Sequence, residues 1–371
     1  MFSKNLKNKS HIFQQVILIA TLVSAVELES CKVKGDHSEI PVETHSVITG
    51  AGSSFANPIY DKMISEFCGL TAIPSSYQAI GSSLGIKRLM NKTVDFGASD
   101  AFLSNDDISM FTADVVEFPT CLGAVVLTYN LPGDSVLRLT SNLISDIYLG
   151  KITKWNDSRI KNENKGMKLP DQVIKVIHRS DGSGTSYVFT DYLSKVSEEW
   201  RTKVGTAKSP NWPIGVEADG NEGVATSVKS TSGSIGYVEL TYALQKHINF
   251  ALVKNSSGRF VEASLESTSI AADVDIPTDT RISITNSNYP DAYPISSFTW
   301  IILYKEQSYN NRTRLQAIDL LKELSWMISS DGQQYTKPLN YAPLPPRARD
   351  AAENVLRSVT YAGTPLLKES N

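Results

Sequence analysis

The chain has 371 residues, more than a single hydrophobic core normally holds, so we expect two domains. Hydrophobic residues make up 41% and charged residues 20% of the sequence, which is typical of a soluble globular protein. The net charge of −3 excludes the basic excess with which proteins hold nucleic acid by counterion release, so we expect no nucleic-acid partner.

The N-terminus has the three regions of a secretory signal peptide. Lysines at positions 4, 7 and 9 precede an apolar run from Val16 to Val26, which is too short to span a bilayer. Small residues at 23–25 then offer a cleavage site. We therefore predict a signal peptide over residues 1–25 and an exported mature protein.

A second processing route would end at Cys31. Leu28 and Ser30 suit a lipoprotein signal that runs to residue 30 and leaves Cys31 as an acylated membrane anchor, whereas Glu29 does not suit it. We favour simple cleavage over lipidation. Residues 26–45 are predicted to be a flexible tether, because most of them are polar and show no hydrophobic period.

From residue 46 onward, short apolar runs alternate with helical periodicity, which predicts an α/β fold. The predicted strands cover residues 45–50, 72–80, 93–99, 122–130, 172–178, 233–238 and 297–305. The predicted helices cover residues 57–67, 82–90, 184–196, 239–247 and 314–328. Residues 254–290 are rich in Ser, Thr and Asp, and we expect irregular surface structure there.

Three predicted strand-to-helix turns combine glycine with hydroxyl side chains. They are TGAGSSFANP at 49–58, AIGSSLGIKRL at 79–89 and HRSDGSGTSYVF at 178–189. A helix N-terminus has unpaired N–H groups and the positive end of the helix dipole, and hydroxyls add further donors. The turns therefore indicate an anion-binding site, although serine and threonine are also favoured helix caps, and capping alone is the alternative.

Three charged residues refine this interpretation. The guanidinium of Arg179 suits a tetrahedral oxyanion, and Asp181 is placed to hold the guanidinium in position. The alternative is that Arg179 and Asp181 form an exposed ion pair, which would contribute little to stability. Asp100 follows the strand predicted at 93–99 and would repel an anion, unless that anion carried a proton to donate to it. The alternative role of Asp100 is to cap or turn its loop.

Catalytic and metal chemistry find little support in the sequence. A Ser-His-Asp hydrolase needs a histidine base, and among the five histidines His178 alone lies close to a serine-rich turn. The sequence has no G-x-x-x-x-G-K-[ST] phosphate loop and no cluster of metal ligands, and Cys31, Cys68 and Cys121 lack metal-ligand spacing. We expect a binding protein that is not an enzyme and that needs no cofactor or metal.

Six segments carry a resemblance to a known family. They are TGAGSSFANPIYDK, YQAIGSSLGIKRLMNKTVDFGASDAFLS, FPTCLGAVVLTYNLPG, ISDIYLGKITKWND, HRSDGSGTSYVFTDYLSKVSEEW and GSIGYVELTYA. In order and spacing they resemble the PstS family of phosphate-binding proteins, the periplasmic substrate-binding proteins of bacterial phosphate ABC importers. The resemblance runs from about Ile48 to about Leu344, and its motifs are long and specific.

The resemblance implies a two-lobed periplasmic-binding-protein fold of type II, in which two α/β domains joined by a hinge close over the ligand in a cleft. Lobe I is expected to combine residues 46–121 and 292–371, and lobe II to comprise residues 122–291. The implied function is high-affinity binding of inorganic phosphate, by a monomer that delivers it to the membrane permease subunits of an ABC transporter with a cytoplasmic ATPase. The alternatives are a binding protein for another tetrahedral oxyanion, a phosphate-handling hydrolase of similar shape, and a structural or adhesive protein.

By motif position, the resemblance also implies a set of phosphate ligands, with Asp181 orienting the arginine among them. The implied ligands are Ser53, Ser54, Phe55, Ser82, Asp100, Arg179, Ser183, Gly184 and Thr185, the first three largely through backbone N–H groups. Two departures from the family leave this set intact. His178 stands where the family has an arginine that is not a ligand, and Cys121 replaces a more usual apolar residue.

Overall fold

The computed structural model describes residues 45–133 and 136–367. The predicted signal peptide at 1–25, the lipidation site at Cys31 and the predicted tether up to residue 44 lie outside the described residues. Within the two described ranges, no helix combines the length and the apolar character that crossing a membrane requires.

A mixed sheet of eight strands forms the centre of the fold. The strands of the described residues are β1 (Ile48–Gly52), β2 (Ser75–Ala79), β3 (Phe96–Ser99), β4 (Val115–Tyr129), β5 (Arg138–Leu139), β6 (Lys175–Arg179), β7 (Val216–Ala218), β8 (Ser234–Glu239), β9 (Leu252–Lys254), β10 (Phe260–Val261), β11 (Ser296–Tyr304), β12 (Thr360–Tyr361) and β13 (Thr364–Pro365). The large sheet has the order β2-β1-β3-β11-β4-β8-β6-β7, while β10-β9-β5 and β12-β13 form small separate sheets.

Strand β4 joins two groups of strands. Its residues up to Ala124 pair with β11, whereas its residues from Val125 onward pair with β8. The first strand group (β2, β1, β3 and β11) therefore lies along the first part of β4, and the second strand group (β8, β6 and β7) lies along the last part. β4 begins at Val115 rather than at the predicted residue 122, because its pairing with β11 extends to that residue.

The directions of the strands bring two sets of loops together. β1, β2 and β3 are parallel to one another and, through β11, run in the same direction as β4. β6, β7 and β8 are parallel to one another and run against β4. The carboxyl ends of β1, β2 and β3 therefore point toward those of β6, β7 and β8, which places the loops after β1, β2, β3 and β6 at the junction where α/β proteins bind ligands.

Helices follow most of these strands and cover the sheet. They are α1 (Asn57–Thr71), α2 (Ser82–Met90), α3 (Asn105–Ser109), α4 (Ser141–Tyr148), α5 (Ser158–Glu163), α6 (Gly184–Val196), α7 (Glu198–Lys203), α8 (Gly220–Ser230), α9 (Leu240–Gln245), α10 (Leu265–Ala271), α11 (Arg314–Ile328), α12 (Ser330–Gln333) and α13 (Pro346–Arg357), with a 3₁₀ turn at Lys337–Leu339. The bounds of α2, α6 and α11 are those predicted from the sequence. In each of the three, apolar residues recur at helical spacing and are buried on one face.

The segment 254–290 is more regular than the irregular surface structure that we predicted. It contains β10 and α10, and it is hydrogen-bonded to β4 and to α6. The Thr280 hydroxyl donates to the backbone oxygen of Glu117 on β4 at 2.8 Å, and Lys195 on α6 donates to Thr285 Oγ1 at 2.7 Å. The prediction therefore holds for most of the segment, but it missed β10 and α10, which are too short to show hydrophobic periodicity.

Candidate anion-binding site

Asp100 follows β3 and is buried at the junction of the two strand groups. The hydroxyls of Ser53 and Thr299 donate to its Oδ1 at 2.6 and 2.7 Å. In residues 45–133 and 136–367, no side chain donates to its Oδ2. Burial raises the pKa of Asp100 to about 6, against the opposing effects of the two hydroxyl bonds and of Arg179. Asp100 is therefore a buried carboxyl with a raised pKa, and its Oδ2 is placed to accept a hydrogen bond from a ligand.

The turn after β1 is organised around the Ser53 side chain. Its Oγ accepts hydrogen bonds from the backbone N–H groups of Phe55 and Ala56 at 3.0 and 3.3 Å, while its proton goes to Asp100. In this arrangement Ser53 and the Phe55 N–H hold the turn and Asp100 together. The neighbouring hydroxyl of Ser54 accepts from Asn221 on α8.

Arg179 ends β6 and is held by two partners. Its Nε donates to Asp181 Oδ1 at 2.6 Å and its Nη2 to Asp181 Oδ2 at 2.5 Å, a two-point contact that matches the planar shapes of both groups. Its Nη1 donates to Thr185 Oγ1 at 3.3 Å. The arginine side chain is 1% exposed, so its charge lies in the interior and its orientation is fixed by Asp181, as the resemblance implied.

The turn after β6 contacts the turn after β2. The backbone N–H of Gly184 donates to Ser82 Oγ at 3.0 Å, and the N–H of Ser83 donates to the carbonyl oxygen of Gly182 at 2.9 Å. A Cβ atom on Gly184 would lie 2.5 Å from Asp100 Oδ2 and 2.6 Å from Ser82 Oγ. Only glycine fits there, so the two strand groups approach each other closely at this point.

The helix that begins in this turn is capped by a predicted site residue. Ser183 is fully buried, and its Oγ accepts the N–H of Ser186 in the first turn of α6 at 3.1 Å. The capping alternative therefore describes Ser183 correctly. Thr185 in the same turn instead bonds Arg179 and Asn221, which capping does not explain.

The structure brings the predicted site residues together and adds two that sequence reasoning missed. Thr299 lies in β11 and donates to Asp100, and Asn221 donates to Ser54 and Thr185. Each had a weak sequence signal. Thr299 is a polar residue inside the apolar run SFTWIILYK, and Asn221 follows the glycine at the start of a helix.

The geometry offers little to a hydrolase. The stretch 81–85, GSSLG, fits the G-x-S-x-G pattern of a nucleophile elbow, but His178 makes no hydrogen bond to Ser83 or to any other described serine. The His178 ring instead stacks on Trp212, with ring centroids 5.0 Å apart, and burial lowers its pKa. In the part of the chain that the structure describes, no three His, Cys, Asp or Glu side chains are grouped to hold a metal ion, and Cys68 and Cys121 are free thiols.

Comparisons with known proteins agree with the sequence resemblance. The family described as PBP superfamily domain matches residues 39–331. The chain is 40% identical over 346 residues to the phosphate-binding protein PstS of Xylella fastidiosa (strain 9a5c), which covers 88% of this chain and 93% of that protein. It is 39% identical over 303 residues to the phosphate-binding protein PstS of Pasteurella multocida (strain Pm70), which covers 80% of this chain and 86% of that protein.

A solved structure has the same fold. The phosphate-binding protein from Stenotrophomonas maltophilia superposes with a TM-score of 0.65 over 83% of this chain and 93% of that chain. The two sequences are 19% identical, so this likeness concerns the fold alone. Together with the family match, it confirms the predicted α/β periplasmic-binding-protein fold.

Proposed function

Because the chain belongs to the PBP superfamily and, within it, to the PstS family of phosphate-binding proteins, we propose that it binds inorganic phosphate and delivers it to an ABC transporter for import. The observation that carries this function is the convergence of the buried Arg179 and Asp100 with hydroxyls from both strand groups. A binding protein for another oxyanion and a hydrolase of similar shape are not favoured.

The phosphate lies, in this proposal, among the residues that the resemblance implied. Arg179 and the hydroxyls of Ser54, Ser82 and Thr185 donate to its oxygens, and Asp100 accepts the proton that phosphate carries near neutral pH. Asp181 orients the arginine. The full set is Ser53, Ser54, Phe55, Ser82, Asp100, Arg179, Ser183, Gly184 and Thr185. In this set Ser53 acts through Asp100, Ser183 acts through the start of α6, and Phe55 and Gly184 act through the N–H groups that bond Ser53 Oγ and Ser82 Oγ.

The number of donors matches the chemistry of the anion. Phosphate is strongly hydrated, so taking it out of water must be offset by many hydrogen bonds at once. Each hydrogen bond to a charged group contributes about 1.5–3 kcal/mol, and micromolar affinity corresponds to about 8 kcal/mol. A handful of well-placed donors is therefore sufficient, even after the cost of ordering the closed site.

The proposed division into lobes is supported by the same sheet. Lobe I comprises residues 46–121 and 292–371, and lobe II comprises residues 122–291. The change of β4 from pairing with β11 to pairing with β8, between Ala124 and Val125, supports a hinge near this boundary. The close contact between Ser82 and Gly184 corresponds to the closed form of the cleft.

The protein acts outside the inner membrane as a monomer, with the transporter's permease subunits as its partners; the protein itself is not an enzyme. The signal-peptide features of residues 1–25 support export. Intact-mass analysis of membrane and soluble fractions tests this. We expect a mature chain beginning near Val26, or at Cys31 if it is lipidated, and retention of residues 1–20 would contradict both.

Native mass spectrometry and calorimetry test the function directly. The purified chain should carry a bound anion with the mass of phosphate and, after dialysis, should bind added phosphate more tightly than sulfate. Arg179→Lys should weaken phosphate binding by roughly tenfold or more, because an ammonium keeps the charge but cannot give two parallel bonds. Absence of phosphate binding, or turnover of a phosphate ester, would overturn the proposal.

A further inference from the structure

Asn221 lies between two hydroxyls of the proposed phosphate site. It is the second residue of α8 and is fully buried. Its Nδ2 donates to Ser54 Oγ at 3.1 Å and to Thr185 Oγ1 at 3.0 Å. Ser54 follows β1 of the first strand group and Thr185 follows β6 of the second, so one amide group links hydroxyls from both groups.

The orientation of this amide is determined by the backbone. The N–H of Glu239 donates to Asn221 Oδ1 at 2.9 Å. A backbone N–H can only donate, so the atom that it meets must be the amide oxygen. The NH₂ group of Asn221 therefore faces Ser54 and Thr185, and each of these hydroxyls receives one of its two protons.

Each hydroxyl also receives a second N–H donor. The backbone N–H of Asn221 donates to Ser54 Oγ at 3.3 Å, and Arg179 Nη1 donates to Thr185 Oγ1 at 3.3 Å. A hydroxyl oxygen has two acceptor positions and one proton. With both acceptor positions filled by N–H groups, the hydroxyl can take part in a further hydrogen bond only as the donor.

We propose that Asn221 is a positioning residue that holds Ser54 and Thr185 as hydrogen-bond donors toward the bound anion. This inference rests on the proposed function, since the donors matter only if an anion lies there. All hydrogen bonds in this series donate in the same direction. The Glu239 N–H donates to the amide oxygen, the amide NH₂ donates to the two hydroxyls, and the hydroxyls donate to the ligand. The site presents only donors at these two positions, and the acceptor is Asp100.

Calorimetric titration of phosphate into two Asn221 variants separates this role from a structural one. Asn221→Leu removes the donors, and we expect affinity to fall by roughly ten- to a hundredfold, about tenfold for each hydroxyl that loses its orientation. Asn221→Asp keeps the size and the acceptor for Glu239, but its second oxygen accepts the two hydroxyl protons and turns them from the anion. We expect it to bind phosphate more weakly than Asn221→Leu, whereas a purely structural need for polarity predicts the reverse order.

Asn255 provides a matched control. It too is buried, and its Nδ2 donates to two oxygens, the carbonyls of Pro290 and Ala292, at 2.8 and 3.2 Å. Asn255→Leu should lower the melting temperature and leave phosphate affinity unchanged. Circular dichroism of every variant checks that the chain is folded.

A double-mutant cycle tests whether Asn221 acts through the two hydroxyls. In a Ser54→Ala, Thr185→Val background, Asn221→Leu should change phosphate affinity by less than about threefold, because the hydroxyls that it orients are absent. An equal loss in both backgrounds, or wild-type affinity in Asn221→Leu, would overturn the inference while the proposed function stands. Failure of the wild-type chain to bind phosphate would overturn both.

Discussion

Asp100 combines two properties that matter for anion selection. It is buried, and both of its hydroxyl donors, Ser53 and Thr299, reach the same oxygen. The other oxygen can accept a hydrogen bond from the proton of a phosphate. Sulfate carries no proton, so a sulfate oxygen and this carboxylate oxygen would be two acceptors in contact without a hydrogen bond between them. A site built to hydrogen-bond such a donor group discriminates against an analogue without that group by a factor of roughly 10⁴–10⁵.

Asp100→Asn should therefore narrow the preference for phosphate over sulfate, mainly by admitting sulfate. The hydroxyls of Ser53 and Thr299 keep the amide oxygen at the Oδ1 position, so the new NH₂ group takes the Oδ2 position and can donate to an unprotonated oxygen. Competition binding with both anions on the folded variant measures the ratio of the phosphate and sulfate affinities. An unaltered ratio, with only stability reduced, would assign Asp100 to capping its loop.

Gly184→Ala should abolish tight phosphate binding. The added Cβ would lie 2.5 Å from Asp100 Oδ2 and 2.6 Å from Ser82 Oγ, much closer than the roughly 3.5–4.0 Å at which non-bonded atoms are comfortable. The two strand groups would be forced apart and the donors separated. Gly69→Ala on α1 is the control, since a Cβ there meets no atom within 4 Å. Wild-type affinity in Gly184→Ala would show that the two turns need not meet during binding.

At the scale of single elements, α11 illustrates how local sequence sets a boundary. Thr313 Oγ1 accepts the N–H of Gln316 at 3.2 Å, and Gln316 Oε1 accepts the N–H of Thr313 at 2.7 Å. This reciprocal pair is a capping box, which satisfies two donors that the helix itself cannot. The pattern is local, so it can be read directly from the sequence.

Thr313→Ala should lower the free energy of unfolding by about 1 kcal/mol, the usual effect of losing a helix cap. Urea denaturation measures it. Arg314→Ala, one residue further along the exposed start of α11, should change stability by less than about 0.5 kcal/mol. Phosphate affinity should stay the same in both variants. If the two variants lose equal stability, the loss in Thr313→Ala does not come from the capping box.

What could be predicted from the sequence depended on the range of the interactions. The helices α2, α6 and α11 follow local periodicity, with side-chain caps on α6 and α11, and their bounds were predicted. The first part of β4, which contains Pro119, is strand only because it pairs with β11, far along the chain. Thr299 and Asn221 could not be placed from sequence for the same reason, since each meets its partner in another part of the chain.

At the scale of the whole molecule, buried carboxyl groups link stability to pH. Burial raises the pKa of Glu117 on β4 to about 8, although the N–H of Leu103 donates to both of its oxygens. A carboxyl that holds its proton more tightly in the folded chain stabilises the fold fully below its unfolded pKa of about 4.5. That contribution is lost as the pH rises through about 8.

Glu117→Gln should therefore reduce the loss of stability between pH 5 and pH 8, measured by urea denaturation of the phosphate-free chain at both values. The control is Glu306→Gln. Burial would raise the pKa of Glu306, but hydrogen bonds from Ser308, Thr360 and Gly363 outweigh it and lower the pKa to about 2. Glu306 is ionised throughout this pH range, so its substitution should leave the difference unchanged. If Glu117→Gln showed the same stability difference between pH 5 and pH 8 as the wild type, Glu117 would not be the source of this pH dependence.

The contact between the turns after β2 and β6 has a consequence for how fast cargo is exchanged. Ser83 and Gly184 each donate a backbone N–H to the opposite turn, so protein groups as well as the anion hold the site shut. An enclosed anion cannot leave before these bonds break, whatever its own affinity. For an anion bound in the proposed site, the dissociation rate is therefore limited by this opening, and a partner can speed unloading by separating the two turns, with no need to touch the anion itself.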